Sequence, residues 1–542
     1  MVKKMALLFS VLLFIGSLFF FVHESEHAEI QDTYESGALK GEVHEARKLQ
    51  KRLAKTLDGT SVQLCFKGEL LACDRESLTF YLPVDMETDV WEAGTFADQS
   101  GEFGILPLED YTRLEKKETV SSGYAVPFLA WNEKEGTCTT IYVVFTGLPV
   151  VRMETDASLD VDTVFAGSVE FYENCGKEDW TLKSVFQAHE RGQTTRAYPK
   201  KGYRVDLISV TSTDVINKNK EKVLGMRKSD SWIFYAIYSD GTKVRDQFNT
   251  RIWDRLGAWD TPYDTRFGTS MKYVELVVNG EYRGLYGIFE PIDSTQLEIS
   301  DQEYLYKRTY GRELLAETMD SVAPSEYLTV LGMELKGRNG QGNGEDWKCF
   351  RTFVEMCQSD DETFRAEAEK LLNMDNVADI WLYLQMMYAE DNIYKNMFFA
   401  FKKESDGYRM YLVPWDTDLT WGNTYVDDGK QLYVQWSPEH AQDYLEWPFL
   451  DRLLKLDVGN IREKVEARWQ KLRQDELSDE NLKNMLDDCI HEVQDSGAFA
   501  RDAARWPDSR HDGDYEGMES YLKTRIAWLD KTMKNMDEQI EK

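Results

Sequence analysis

The chain has 542 residues, of which 96 are Asp or Glu and 64 are Lys or Arg, so its net charge is −32. This length accommodates two or three domains, and an apolar content of 42% supplies ordinary hydrophobic cores, so a folded protein is expected and not a largely disordered one. A surface this acidic repels phosphate backbones, so nucleic acid is not an expected partner.

A hydrophobic segment begins the chain. Lys3 and Lys4 precede an uncharged apolar run at positions 5–22, which would measure roughly 27 Å as a helix, close to the thickness of a bilayer core. No small-residue cleavage site follows, so residues 1–24 are predicted to be an uncleaved signal anchor. The positive-inside rule keeps the lysines in the cytoplasm. The sequence thus predicts a single-pass cell-membrane protein, with its bulk extracytoplasmic and residues 25–60 as a helical stalk.

Strand-like segments follow the stalk. The segments SVQLCFKG, LTFYLP, YAVPFLAW and CTTIYVVFTG are rich in β-formers and separated by turn residues, which predicts a small β-rich domain over residues 61–146. The seven cysteines show no CxxC pair and no Cys/His cluster, which disfavours a zinc site. In an exported chain Cys65 could pair with Cys73, and Cys349 with Cys357, although an odd total leaves one thiol free.

The remainder of the chain is predicted to form an α+β unit in two parts. Residues 147–345 combine strands with helices, and Asn279-Gly280 between two alternating runs predicts a tight hairpin, because both turn residues tolerate positive φ. Residues 346–542 are mostly helical. They carry one inserted hairpin, NMFFAFKK and YRMYLVPWD, around positions 405–407.

Candidate catalytic residues flank that inserted hairpin. Asp391 is followed five residues later by Asn396, and Asp416 and Asp418 come after the second strand. Protein kinases use this order: an Asp orients the attacking hydroxyl, an Asn binds one metal ion, and an Asp after a later strand binds another. Carboxylate and amide oxygens suit Mg²⁺. The spacing alone is weak, because an Asp here is equally typical of a helix end or turn.

A basic loop lies upstream. The segment HERGQTTRAYPKKGYRVDL places Arg191, Gly192, Arg196, Lys200 and Lys201 before an alternating strand. Glycine permits close backbone approach to phosphates and a strand lysine can reach them, although the loop lacks GxGxxG and alone is typical of a basic surface hairpin. Cations in one part and metal-type ligands in the other together predict a nucleotide cleft.

Seven ordered blocks over residues 147–425 resemble the spore-coat H (CotH) family. They are GLPVVRMET, HERGQTTRAYPKKGYRVDL, KVLGMRKSDSWIFYAIYSDGTKVRDQFNTRIWDRLG, VELVVNGEYRGLYGIFEPID, YLYK, EDNIYKNMFF and LVPWDTDLTWG. The resemblance implies a two-lobed, atypical, protein-kinase-like enzyme. Such an enzyme uses ATP with Mg²⁺ or Mn²⁺ to phosphorylate serine or threonine of spore-coat or cell-surface proteins.

The resemblance also implies roles for individual residues. Asp391 would be the catalytic residue, Asn396 and Asp416 would be metal ligands, and Asp418 is a second metal-ligand candidate. Lys201 would contact phosphate.

Two other lysines, Lys200 and Lys307, remain alternatives for the phosphate contact, and Glu290 is a candidate to orient such a lysine. Arg191 or Arg196 would assist in gripping phosphates.

Other polar residues and other functions compete with this interpretation. The cluster of Arg245, Asp246, Asn249 and Arg251 at the start of a predicted helix is read as structural. A non-catalytic coat or surface assembly protein with a kinase-like fold is one rival function. A carbohydrate or adhesion module is another. It is suggested by fifteen tryptophans, although Trp232 and Trp415 are more typical of packing positions.

Overall fold

The computed structural model describes residues 39–53, 55–157, 163–192, 194–210, 216–256, 263, 267–310, 332–336, 344–426, 432–534 and 536. The predicted signal anchor at 1–24 lies outside the described residues. Among those that are described, no helix is both long and apolar enough to cross a membrane. All seven cysteines are described and all are free thiols, so neither expected pair is joined.

The N-terminal part is a mixed β-sheet with two helices. Its elements are α1 (Lys40–Arg52), β1 (Lys55–Thr56), β2 (Leu64–Phe66), β3 (Glu69–Leu70), β4 (Ala72–Asp74), β5 (Thr79–Pro83), β6 (Phe96–Asp98), β7 (Gly104–Pro107), α2 (Lys116–Ser121), β8 (Ala125–Asn132) and β9 (Thr137–Thr146). The main sheet has the order β4-β5-β9-β8-β7, and β1 also pairs with β9. Helix α1, from the predicted stalk, packs its buried Ala46 and Leu49 against Leu129 of β8.

The second part is built on a closed sheet. Its elements are β10 (Val150–Glu154), β11 (Phe165–Tyr172), β12 (Thr181–Arg191), β13 (Gly202–Val210), β14 (Ile216–Lys218), β15 (Glu221–Lys222), β16 (Lys228–Ser229), β17 (Ser231–Tyr235), α3 (Arg245–Leu256), β18 (Met271–Val278) and β19 (Glu281–Phe289). The order is β12-β11-β10-β18-β19-β17-β13-β14, and β12 also pairs with β13, which closes seven strands into a ring. Alternate side chains from these strands fill its interior.

The predicted hairpin at Asn279-Gly280 is confirmed within this ring. It joins β18 to β19, and its two residues have φ of 52° and 72°, as the turn requires. The same turn contacts the N-terminal part, because the Arg75 amide donates to the Gly280 carbonyl at 2.8 Å. A buried ion pair, Arg501 to Glu275 at 2.7 Å, lies beneath it and also contacts Thr146 of β9.

The C-terminal part combines a small sheet with most of the helices. Its elements are β20 (Tyr304–Arg308), β21 (Met333–Leu335), α4 (Lys348–Gln358), α5 (Asp361–Leu371), α6 (Met374–Met387), α7 (Asp391–Tyr394), β22 (Met397–Glu404), β23 (Gly407–Pro414), β24 (Asn423–Val426), β25 (Leu432–Gln435), α8 (Pro448–Lys455), α9 (Ile461–Gln474), α10 (Asp479–Asp495), α11 (Ala498–Arg505) and α12 (Tyr515–Lys534). The inserted hairpin is confirmed as β22 and β23. Its pairing with β20, in the order β21-β20-β22-β23, was not predicted.

One large hydrophobic core unites α3, the small sheet and the C-terminal helices. Helix α3 lies between the ring and α6, with Phe248, Ile252 and Trp253 buried. Helix α3 therefore contacts both the ring and the helical part, close to the loop that follows β23. The mixed α and β composition expected from the sequence is therefore confirmed.

Candidate active site

The β22–β23 hairpin brings two distant parts of the chain side by side. Asn396 immediately precedes β22, and the register pairs Met397 with Pro414 at the far end of β23. The Trp415 amide donates to the Asn396 carbonyl at 3.0 Å, and the Asn396 amide donates to the Arg308 carbonyl at 2.9 Å. Residues on either side of the hairpin therefore belong to one site.

Two residues at this junction have an unusual backbone conformation. Asn396 has φ of 60° and Asp416 has φ of 59°, in the left-handed region that non-glycine residues seldom adopt. The buried Asn392 side chain stabilises both turns, because its Nδ2 donates to the carbonyls of Asn396, at 3.1 Å, and Trp415, at 2.9 Å. Such strain is characteristic of functional sites in which the surrounding structure fixes a side-chain direction.

Asp391 lies on the short helix α7 with its carboxylate directed at this junction. Asn396 Nδ2 donates to Asp391 Oδ2 at 2.7 Å, and Lys395 Nζ lies 3.3 Å from Oδ1. Partial burial raises the pKa of Asp391; the positive charge of Lys395 opposes the rise and the charge of Asp416 adds to it. A half-buried carboxylate beside a lysine and an amide is a chemically reasonable acceptor for a hydroxyl proton.

Asp418 is held by groups from the ring. Tyr235, at the end of β17, donates its hydroxyl to Asp418 Oδ2 at 3.2 Å, and the Ser239 hydroxyl donates to the same oxygen. Burial and the neighbouring charge of Asp416 raise the pKa of Asp418 to about 7. The ring and the helical part thus meet at this carboxylate.

A further carboxylate, Asp246, comes from the first turn of α3. Its Oδ1 accepts the Thr417 amide at 3.0 Å, which fixes the turn between Asp416 and Asp418. Burial, followed by the charges of those two aspartates, raises the pKa of Asp246 well above its ordinary value. Asp246, Asp416 and Asp418, here called the acidic group, therefore concentrate more negative charge than their immediate surroundings neutralise.

Two cations, Arg191 and Lys307, interact electrostatically with Asp416. The Arg191 guanidinium lies 5.7 Å from the Trp415 ring, and its pKa is lowered by burial while the charge of Asp416 opposes the shift. Lys307 projects from β20 with its ammonium 5.5 Å from the Phe398 ring. Burial and the charge of Arg191 lower the pKa of Lys307 to about 8. Positive and negative groups thus line one cleft.

The carboxylate oxygens of this site suit a metal ion that is bound jointly by the protein and by phosphate oxygens. Among the residues that the structure describes, no group of three or more His, Cys, Asp or Glu side chains could hold a metal ion alone. Mg²⁺ commonly takes only one or two carboxylates and completes its octahedron with phosphate oxygens and water. Asp416 and Asp418, whose pKa is raised by burial and by the charge of Asp416, fit that mode.

The family model for CotH, described as CotH kinase protein, matches residues 188–529. This chain belongs to the CotH family. The match runs from the end of β12 into α12 and so contains all of the site residues described above. A search of curated proteins finds no match to the chain.

Among the basic residues predicted in the CotH-like loop, Lys200 is directed away from the acidic group. Its side chain is 0% exposed, and Nζ lies 2.7 Å from Asp502 Oδ1 and donates to the Leu285 carbonyl. Although burial alone would raise the pKa of Asp502, Lys200 and His511 help lower it to about 2. The contacts of Lys200 are those of a structural ion pair.

Lys201 and Arg196 stabilise the loop itself. The Lys201 ammonium donates to the Arg196 carbonyl at 2.5 Å and lies 3.8 Å from Glu190, while Arg196 Nη2 donates to the Glu190 carbonyl at 3.1 Å. Gly192 has φ of 112°, and a Cβ there would lie 1.8 Å from Thr195 Oγ1. The glycine is therefore required by the turn, and Arg191, just before it, interacts electrostatically with Asp416.

Glu290 does not meet any of the three candidate lysines through a contact between described residues. Its carboxylate accepts the Arg227 amide at 2.8 Å, and its carbonyl accepts the Thr269 hydroxyl at 2.6 Å. These bonds secure the end of β19. Lys307 interacts electrostatically with Asp416, as does Lys395.

The polar cluster on α3 has two roles. Arg245 and Asn249 are structural, as predicted, whereas Asp246 belongs to the site. Arg245 Nε donates to the Thr420 carbonyl at 3.0 Å, and Asn249 Nδ2 donates to the Thr417 carbonyl at 2.8 Å. Both bonds hold the loop after β23. Asp246 was missed as a site residue, as were Tyr235 and Ser239. Because an acidic residue in the first turn of a helix is also typical of simple helix stabilisation, the sequence did not mark Asp246 as a site residue.

Two cavities meet at Asp391. One has a volume of about 1000 Å³ and is bordered by α4, α5, α7 and the start of α8. The other, of about 180 Å³, lies against the loop after β23 and includes Glu390 and Asn423. Asp391 and Tyr394 line both. An acceptor group can therefore approach Asp391 from a side that the acidic group and its cations do not occupy.

Proposed function

We propose that this chain is an atypical protein kinase that transfers the γ-phosphoryl group of ATP to a serine or threonine hydroxyl of a spore-coat or cell-surface protein. In this proposal the ring of strands is the N-lobe of a kinase-like fold, and the small sheet with the C-terminal helices is the C-lobe. The observation that carries the proposal is the convergence of Asp391, Asn396 and Asp416 at the base of the β22–β23 hairpin.

Asp391 is the group that would act on the acceptor. Its carboxylate accepts a hydrogen bond from the incoming hydroxyl and takes the proton as the new bond from oxygen to the γ-phosphorus forms. The bond between that phosphorus and the bridging oxygen of ADP breaks, and ADP leaves. Lys395 and Asn396 keep the carboxylate in place, at 3.3 and 2.7 Å.

The remaining site residues would hold the nucleotide phosphates. Arg191 and Lys307 contribute positive charge opposite Asp416, and their partial burial strengthens electrostatic attraction to phosphate. Asn396 and Asp416, with Asp418 beside them, would hold Mg²⁺ or Mn²⁺. The ion supplies neutralisation of the charge that develops during transfer.

The expected location is also part of the proposal. Residues 1–24 would anchor the chain in the cell membrane and leave the catalytic part outside the cytoplasm, with the spore coat as the alternative site. A non-catalytic assembly protein is the rival function, since a fold does not by itself establish activity.

Phosphoryl transfer is tested with the purified full-length chain, γ-labelled ATP and Mg²⁺ or Mn²⁺. Wild type is expected to label itself or an added serine-containing protein, and Asp391→Asn is expected to reduce the rate by roughly 10²- to 10⁴-fold. Asp406→Asn is the matched control, because Asp406 lies at the exposed turn of the same hairpin with its side chain 63% exposed. A folded wild type that neither labels protein nor binds ATP would make the assembly role the better account.

A further inference from the structure

The cavity of about 1000 Å³ beside Asp391, here called the Asp391 cavity, is lined mainly by apolar side chains, with charged groups among them. Tyr394 and the half-buried Phe449 present accessible rings to it, and the buried rings of Phe353, Phe364, Phe399 and Trp447 support this surface. Phe353 packs edge-on against Phe449 and in a tilted arrangement against Phe399, at 5.1 and 5.6 Å between ring centroids. A concave aromatic surface of this volume is typical of a binding site for apolar groups.

The Asp391 cavity is separated from the phosphate side by the small sheet. Successive side chains of a strand point to opposite faces, and the register pairs Lys307 with Phe398 and Arg308 with Met397. Lys307 and Phe398 therefore project towards Asp416, whereas Arg308 and Phe399 line the cavity. The cavity consequently lies on the side from which an acceptor, and not the triphosphate, would approach.

The cationic groups at the cavity are engaged by the protein. Arg308 donates to the Ile393 carbonyl. Arg452 pairs with Asp361 at 2.8 Å and donates to the carbonyls of Cys357 and Ser359, at 2.9 and 2.7 Å. Lys395 pairs with Asp391. An anionic occupant would have to compete with these bonds, while an apolar side chain would not.

We propose that the Asp391 cavity is a specificity site that receives a large apolar side chain, such as phenylalanine, from the acceptor protein close to the phosphorylated hydroxyl. This inference rests on the proposed kinase function. An extended chain advances about 3.3 Å per residue, so a side chain within about three residues of the hydroxyl reaches the cavity while the hydroxyl contacts Asp391. The enzyme would thus recognise an acceptor by the apolar residue that lies near its phosphorylated hydroxyl.

Binding of short peptides tests the site without requiring catalysis. The probes are fluorescent decapeptides with one serine and a single Phe at each of the three positions on either side, compared with an all-Ala version. Full-length wild type is expected to bind the best Phe peptide roughly 10- to 100-fold more tightly than the Ala peptide, because burying a phenylalanine ring provides that range.

Two variants of the cavity are expected to remove this preference. Phe449→Ala removes a half-buried ring, and Gln358→Trp, at an exposed position on the rim, fills the space without disturbing the core. Phe499→Ala is the matched control: Phe499 is also half-buried but packs against Tyr515 and His511, away from the cavity. It is expected to keep the preference.

Several outcomes would overturn the inference. They are equal binding of Phe and Ala peptides, no binding of either, or a preference that survives in both cavity variants. A loss of ATP binding in those variants would make the cavity a nucleotide-base site instead. The two proposals also fail separately: peptides that bind with the preference but are never phosphorylated refute the kinase, and peptides phosphorylated without it refute the specificity site.

Discussion

Replacement of Lys200 by methionine should lower stability and not merely weaken ATP binding. The ammonium is fully buried and pairs with the equally buried Asp502 at 2.7 Å. Removing one partner of such a pair leaves an uncompensated buried charge and costs about 3–5 kcal/mol. Asp502 retains hydrogen bonds from His511 Nε2 and the Leu285 amide, at 2.7 and 2.9 Å, so the loss should fall near the lower end of that range.

The expected change can be converted to a melting temperature. At about 2.1 cal/mol/K of unfolding entropy per residue, a unit of the size of residues 188–529 has roughly 0.7 kcal/mol/K, so a loss of about 3 kcal/mol lowers Tm by roughly 4 °C. Lys464→Met is the control. Lys464 pairs with Asp375 at 2.6 Å, but both side chains are exposed, and such pairs contribute less than about 1 kcal/mol.

Differential scanning calorimetry of the full-length variants gives both Tm values, and a titration with ATP gives the second comparison. If Lys200→Met had the Tm of wild type and instead lost ATP affinity, Lys200 would be a phosphate ligand and the burial argument would be refuted. An Asp502→Asn change combined with Lys200→Met should cost less than the sum of the two single changes, because the two residues interact directly.

Three further predictions concern the acidic group and its cations. Because folding raises the pKa of Asp418 to about 7, Asp418 in the metal-free folded protein keeps a proton that it loses in the unfolded chain above the ordinary carboxyl pKa. The contribution of Asp418 to stability should therefore fall as the pH rises from about 4 to 7, so that wild type loses Tm relative to Asp418→Asn over this range. Lys307→Met should raise the ATP dissociation constant roughly tenfold or more in equilibrium titrations, whereas Lys201→Met, whose ammonium is bonded within its own loop, should change it less than threefold. ATP affinity of wild type should also weaken as the pH rises through about 8, where Lys307 loses its proton, and this pH dependence should be absent in Lys307→Met.

Local features of the fold could be predicted from the sequence. The Asn279-Gly280 turn was predictable because its two residues must adopt positive φ. Gly192 was assigned to phosphate approach, which stays a prediction; what the structure shows is that the turn itself needs a glycine there. The order of Asp391, Asn396 and Asp416 around a hairpin was visible because a two-stranded insertion brings its own ends together. These are properties that depend on neighbouring residues.

The pairing of strands that are distant in the sequence could not be predicted in the same way. Nothing local indicates that β12 pairs with β13 to close a ring, or that β20 joins the inserted hairpin, because a strand's partner depends on the whole packing arrangement. The same limitation applies to charge. Lys200 and Lys201 are adjacent in sequence, yet one is buried against Asp502 and the other stays within its loop. Asp246 was likewise indistinguishable from a helix-stabilising residue until α3 was placed against Thr417.

The central claim is that residues from both ends of the β22–β23 hairpin form one metal–nucleotide site. Electron paramagnetic resonance of Mn²⁺ with the full-length protein, with and without ATP, tests it most directly. Wild type and Asp391→Asn should both bind Mn²⁺ in an ATP-dependent manner, since Asp391 acts on the acceptor, whereas Asp416→Asn should lose this binding by at least tenfold in affinity. If Asp416→Asn bound Mn²⁺ and ATP as tightly as wild type, the residues brought together by the hairpin would not form the site described.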